Sequence, residues 1–180
     1  MKNALEIQDV ESLELRFPQM FAGPVIGLEF YKGWFPDFVR LCFEVDALLG
    51  DERHRFHWDQ LKEKFGGYRM HFIFRFRPLQ PGSINDYDEP DEDEEIAESK
   101  KLTAIRDQIR STIEDCAATM FSKCCICGDP GTSTGYGWLR VLCSYHGDAA
   151  RLERGDQRPF SELTAVPRWP GDEKSGVASS

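Results

Sequence analysis

The chemistry-bearing residues of this chain concentrate in one stretch, SKCCICGDPGTSTGYGWLRVLCSYHGD, which holds Cys124, Cys125, Cys127, Cys143 and His146. Cys124 and Cys127 form a CxxC pair followed by Gly128, and Cys143 and His146 form a CxxH pair. A two-residue spacer lets a short turn aim both side chains at one point, and two such turns supply the four ligands of a tetrahedral ion. Gly128 suits the bend after the second ligand. The intervening residues run from turn formers (Asp129, Pro130, Gly131, Gly135, Gly137) into Trp138-Leu139-Arg140-Val141-Leu142, an apolar run that reads as a strand delivering Cys143. The expectation is a Cys3His zinc ribbon or knuckle holding one structural Zn2+. With all four positions filled by protein, no place is left for a catalytic water. Cys125 competes with Cys124 for the first ligand position, and the CxxC spacing favours Cys124.

Two catalytic uses of such cysteines fit poorly. A zinc deaminase requires H-x-E upstream of P-C-x-x-C; Lys123 precedes Cys124 and the chain has no H-x-E. A thioredoxin-like thiol pair requires a βαβ setting, which the surrounding pattern does not offer. Elsewhere, His54, His57, Asp59 and Glu63 lie close in sequence. On a strand His57, Asp59 and Leu61 share a face, so a metal-dependent hydrolase using His57, Asp59 or His71 is conceivable, against the simpler reading of a polar strand face. Lys62, Lys64, Arg69, Arg75 and Arg77 make the same region locally basic, with aromatics interleaved as on a nucleobase-stacking platform. Because the aromatics take one face and the bases the other, an ordinary amphipathic strand accounts for them better.

The elements that must position these residues follow from periodicity. Phe38, Leu41, Cys42, Val45, Leu48 and Leu49 form one helical stripe, with Pro36 at its start and Gly50 at its stop, predicting a helix over about 36–49. Tyr68, Met70, Phe72, Phe74 and Phe76 alternate with Arg69, His71, Ile73 and Arg75, the period of a strand. With FHWDQLKEK before it and Phe65-Gly66-Gly67 between, the pattern predicts a β-hairpin whose glycine pair supplies the positive φ angles; LKEKF alone would also fit a helical turn. Leu102, Ile105, Ile109, Ile113, Cys116 and Met120 predict a long amphipathic helix over about 96–121. Residues 1–30 read as irregular with one or two strands. The fold class expected is α+β: helix, hairpin sheet, long helix and C-terminal zinc knuckle.

Composition bounds the rest. The chain has 180 residues, 41% of them hydrophobic, which suffices for a real core. No apolar run approaches the roughly 20 residues needed to span a bilayer, and the N-terminus lacks an apolar signal-peptide core, so a cytoplasmic protein with reduced thiols and no membrane partner is expected. The net charge is −9, yet DYDEPDEDEE (86–95) alone carries eight acids: Asp86, Asp88, Glu89, Asp91, Glu92, Asp93, Glu94 and Glu95. The remainder therefore sums to about −1, which suits neither a strongly basic nucleic-acid binder nor a uniformly acidic surface. The stretch 78–95 reads as a flexible acidic loop, a spacer or a docking segment for a basic partner. The organisation expected is an α+β domain over 1–121, a zinc subdomain over 122–164 and a disordered tail over 165–180.

GWFPDFVRLC, FHWDQLKEKFGGYRMHF and CCICGDPG…GWLRVLCSYH, in that order, resemble a group of small bacterial and phage-associated zinc-ribbon proteins with a G-W helix, a KEKFGG hairpin and a terminal CxxC…CxxC/H knuckle. The resemblance covers roughly 31–147; Tyr68 replaces an expected Leu, and the acidic insert is a departure. Its bacterial distribution resembles that of immunity proteins and prophage accessory proteins. It implies a non-enzymatic protein-binding module, of the immunity or inhibitor kind, acting on a basic toxin or host factor. The alternative is a nucleic-acid-binding accessory protein using the knuckle and the basic hairpin.

Overall fold

In the computed structural model, residues 7–22, 31–76, 92–134 and 139–166 are described. The architecture is α+β. The first described elements are helix α1 (Val10–Arg16) and a 3-10 turn (Pro18–Phe21), within the stretch 1–30 expected to be irregular with one or two strands; 1–6 and 23–30 lie outside the described residues. Asp9 explains the helix: its carboxylate accepts from the Ser12 amide at 2.7 Å and from the Ser12 hydroxyl at 2.9 Å, an N-cap that satisfies an otherwise open donor. Leu13 and the cap residue Phe17 are buried four residues apart, and Ile7, ahead of the helix, is buried as well.

Helix α2 (Phe35–Leu49) agrees with the periodicity, with Pro36 in its first turn and Gly50, at φ +53°, ending it. Phe38, Val39, Leu41, Cys42, Val45 and Leu49 are buried along it. A 3-10 turn (Gly50–Arg55) leads into strand β1 (Phe56–Lys64), which pairs antiparallel with β2 (Gly67–Phe74). LKEK is therefore strand. The register slips between Trp58 and Gln60, so that Trp58 opposes Phe72 and Leu61 opposes Met70. This bulge at Asp59 turns both Trp58 and Leu61 into the core. Leu61 accordingly does not share a face with His57 and Asp59, contrary to a strict period of two.

The hairpin turn is also differently built from the glycine-pair expectation. Its positive φ angles belong to Phe65 (+56°) and Gly66 (+77°), a two-residue turn of the hand that matches strand twist. Gly67 is already strand, and it is small because the Phe121 ring lies on it: a Cβ there would sit 2.0 Å from a ring carbon.

Helix α3 (Glu92–Met120) packs on α2 and on β2, with Leu102, Ile109, Ile113 and Met120 buried. It starts within the stretch expected to be loop: Glu92, Asp93, Glu94 and Glu95 are helical, where acids favour the dipole's positive end. Asp86, Asp88, Glu89 and Asp91 lie outside the described residues, as do 167–180 of the expected tail. Strands β3 (Thr132–Thr134) and β4 (Arg140–Leu142) pair antiparallel, and short helices α4 (Asp148–Glu153) and α5 (Phe160–Thr164) close the described chain. The buried core is contiguous from Leu13 and Trp34 through Trp58 and Ile109 to Cys124, Cys125, Leu142 and Cys143. No helix among the described residues is long and apolar enough to cross a membrane.

Candidate metal centre

Two turns form the centre. Cys124–Gly128 closes with the Gly128 amide donating to the Cys124 carbonyl at 2.8 Å, and Cys143–Gly147 closes with the His146 and Gly147 amides donating to the Cys143 carbonyl at 3.1 and 2.9 Å. Strand β4 delivers the second turn beside the first: the Cys125 amide donates to Val141 O at 2.9 Å. This is the arrangement the apolar run before Cys143 implied.

The donor atoms of Cys124, Cys127, Cys143 and His146 all lie within 4.8 Å of one another. Cys127 Sγ and Cys143 Sγ are 3.8 Å apart, while His146 Nδ1 lies 3.6 Å from Cys124 Sγ and 3.3 Å from Cys143 Sγ. A tetrahedral zinc with Zn–S bonds of about 2.3 Å and Zn–N bonds of about 2.0 Å spaces two sulfurs about 3.8 Å apart, and a sulfur from a nitrogen about 3.5 Å. The residues present thus fit a four-coordinate ion. All six cysteines are free thiols.

The protonation states also suit a cation. Burial alone would push the Cys143 thiol up, but the His146 amide and the thiols of Cys127 and Cys124 donate to its sulfur and hold it below its ordinary value. Burial, helped by side-chain hydrogen bonds with Asp129, Cys124 and Cys143 and opposed by the Asp129 backbone amide, pushes Cys127 up. Cys124, Cys127 and Cys143 would ligate a divalent ion as thiolates, so binding there would be coupled to loss of thiol protons. Burial and then the Arg154 guanidinium hold His146 below its ordinary value, leaving the imidazole neutral at pH 7 and able to ligate.

Cys125 is not part of the cluster. Its side chain is fully buried in the core, and burial pushes its thiol up to about 12, which keeps it protonated and inert. Adjacent residues of a turn face opposite ways, so the CxxC spacing selects Cys124.

Residues that the sequence did not single out hold the first turn in place. Gly33 donates its amide to Cys125 O at 2.9 Å, and Trp34 Nε1 donates to Lys123 O at 3.0 Å. Lys123 Nζ donates to both carboxylate oxygens of the buried Asp37, at 2.7 and 2.8 Å, and Arg40 pairs with the same carboxylate. Backbone meets backbone here: a Cβ on Gly33 would lie 2.2 Å from Cys124 O, and one on Gly128, at φ +83°, would lie 2.8 Å from Gly33 O. The G-W-x-x-D start of α2 is the seat on which the first ligand turn rests. The signal was present as two motifs, GWFPD and KCCICG, but nothing in one chain says that they touch.

The other candidates are dispersed. His57 and His71 lie on the open face of the hairpin, opposite Ile73 and Gln60 respectively, with no metal-binding group formed around them among the described residues. Burial and then Arg75 hold His57 below its ordinary value, against Asp59, which raises it. The chain matches no family model, no curated protein and no solved structure.

Proposed function

We propose that this chain is a non-enzymatic protein-binding module of the immunity or inhibitor kind, held in shape by one structural Zn2+ on Cys124, Cys127, Cys143 and His146. The observation that carries the reading is the donor set: four protein donors within 4.8 Å of one another, built into the main core, which together would fill the four positions of a tetrahedral ion. The zinc would supply folding free energy, and the four ligands would do no chemistry of their own. The acids of 86–95 favour a basic partner and would speed its association at low salt.

Native mass spectrometry of the tagged full chain, purified gently from its source cells, tests both halves. The expected species carries one zinc and one bound protein, and its association slows as salt rises or when 86–95 is replaced by Gly/Ser. A folded chain that stays alone at every ionic strength removes the binding role. A folded chain without metal removes the zinc.

A further inference from the structure

We propose that the open face at the tip of the β1–β2 hairpin, centred on Phe65, is the docking surface for an acidic, apolar-bearing segment of a partner protein; this rests on the protein-binding reading above. Three apolar side chains converge on the turn and remain in water: Phe65 is 64% exposed, Phe121 52% and Leu139 41%. Their grouping follows from the glycines between them. A Cβ at Gly66 would lie 3.3 Å from Leu139, and a Cβ at Gly67 would overlap the Phe121 ring.

Phe65 is a poor residue for its position. A bulky side chain at φ +56° is a backbone outlier, and such turns ordinarily take Asn or Gly. Its ring stays in solvent beside the Lys64 ammonium, 5.2 Å from its centroid, while the Glu63 carboxylate accepts from the Gly66 amide at 2.8 Å and braces the turn. A bulky residue held in a strained conformation with its ring in water points to function.

The surroundings state the partner's charge. By strand alternation Lys64, Lys62 and Arg69 occupy the face on which Phe121 covers Gly67. Lys62 stands directly opposite Arg69, a like-charge pair that costs stability. None of Lys62, Lys64 and Arg69 makes an ion pair among the described residues. An apolar centre with unpaired cations at its rim complements a segment whose apolar side chains are flanked by Asp and Glu. Leu139 beside the two rings adds an aliphatic surface that suits the apolar side chains of a protein segment, whereas the Phe65 and Phe121 rings alone would also stack on bases. The acidic run 86–95 calls for the opposite charge, so the two surfaces are tested separately.

The test uses the zinc-loaded full chain, 15N-labelled, and three probes: a peptide with Trp and Leu set among Asp and Glu, the same peptide with Lys and Arg in place of the acids, and oligothymidine. The acidic peptide should shift the amides of 62–69, 121 and 139, and Phe65→Asn should weaken it at least about tenfold, as loss of an aromatic anchor does. Because Asn suits the turn, that variant should also unfold at higher urea, so lost binding would not reflect misfolding. The double variant Lys62→Glu with Arg69→Glu should weaken the acidic peptide and not the basic one. Absent shifts, equal binding of the basic peptide, or binding unaffected by Phe65→Asn would overturn the proposal. Stronger binding of oligothymidine would make the face a nucleic-acid site, and self-association abolished by Phe65→Asn would make it a contact between copies; either overturns it. If a native complex survives Phe65→Asn, this surface is wrong while the protein-binding reading stands; a chain without any partner removes that reading whatever the peptides do.

Discussion

At the scale of single residues, the candidate metal centre depends on four side chains close enough to hold one ion and on backbone that must stay bare. Gly33→Ala drives a Cβ to within 2.2 Å of the Cys124 carbonyl, a contact with backbone that no rotamer relieves. The expected cost is at least about 2–3 kcal/mol in urea unfolding, with weakened zinc retention. Cys125→Ala should behave otherwise, losing about 1–2 kcal/mol of packing while zinc stoichiometry by elemental analysis is unchanged. Cys124→Ala should lose the metal. The grouping of Cys124, Cys127, Cys143 and His146 was legible in the sequence because two turns aimed at one point demand fixed spacing. Gly33, Trp34 and Asp37 were not, because a long-range backbone contact leaves no local period. Leu61 was misplaced for a related reason: one extra residue at Asp59 inverts the alternation after it.

Among elements, the long helix α3 and helix α2 were readable from apolar stripes that match a period near 3.6, and the hairpin from alternation. Helix α1 was not, since seven residues give barely two turns of pattern and its cap, Asp9, acts through one side chain. The start of α3 was placed too late because a run of acids reads as loop until the helix dipole is counted. That end of α3 is tied to the turn after α2 by Glu52, which accepts from Arg55 Nε at 2.6 Å and Lys101 Nζ at 3.1 Å, while Arg55 also reaches Glu98 at 2.8 Å. The Arg55 hydrogen bond is the chief cause that holds the Glu52 carboxyl below its ordinary value, outweighing burial, with Lys101 adding to it. A depressed folded value means the contribution is present above the unfolded value, about pH 4.3, and fades as pH falls through the folded one. The stability difference between wild type and Glu52→Gln should thus be about 1 kcal/mol at pH 7 and shrink as pH falls below the unfolded value, measured on the two proteins side by side. A difference independent of pH would remove the carboxylate from this role. In the hairpin, Phe65→Asn or Phe65→Gly should stabilise by about 1 kcal/mol, the usual cost of a left-handed conformation in a non-glycine residue.

For the whole molecule, the ligand turns are part of the main core: Cys124, Cys125 and Cys143 are buried with Trp34, Tyr68 and Ile109 in one cluster. Metal removal should therefore loosen the start of α2 as well as the ligand turns. Hydrogen exchange on chelator-treated protein should show amides 33–38 losing protection together with 123–147, whereas exchange confined to 123–147 would mean the two are uncoupled. The measurement that bears most directly on the account is the mass of the folded chain under native conditions, before and after a strong chelator. One zinc per chain, removed by the chelator with loss of structure and absent from Cys143→Ala, is the result expected. A folded, metal-free chain, or one lighter by two hydrogens through a disulfide within the cluster, would contradict it.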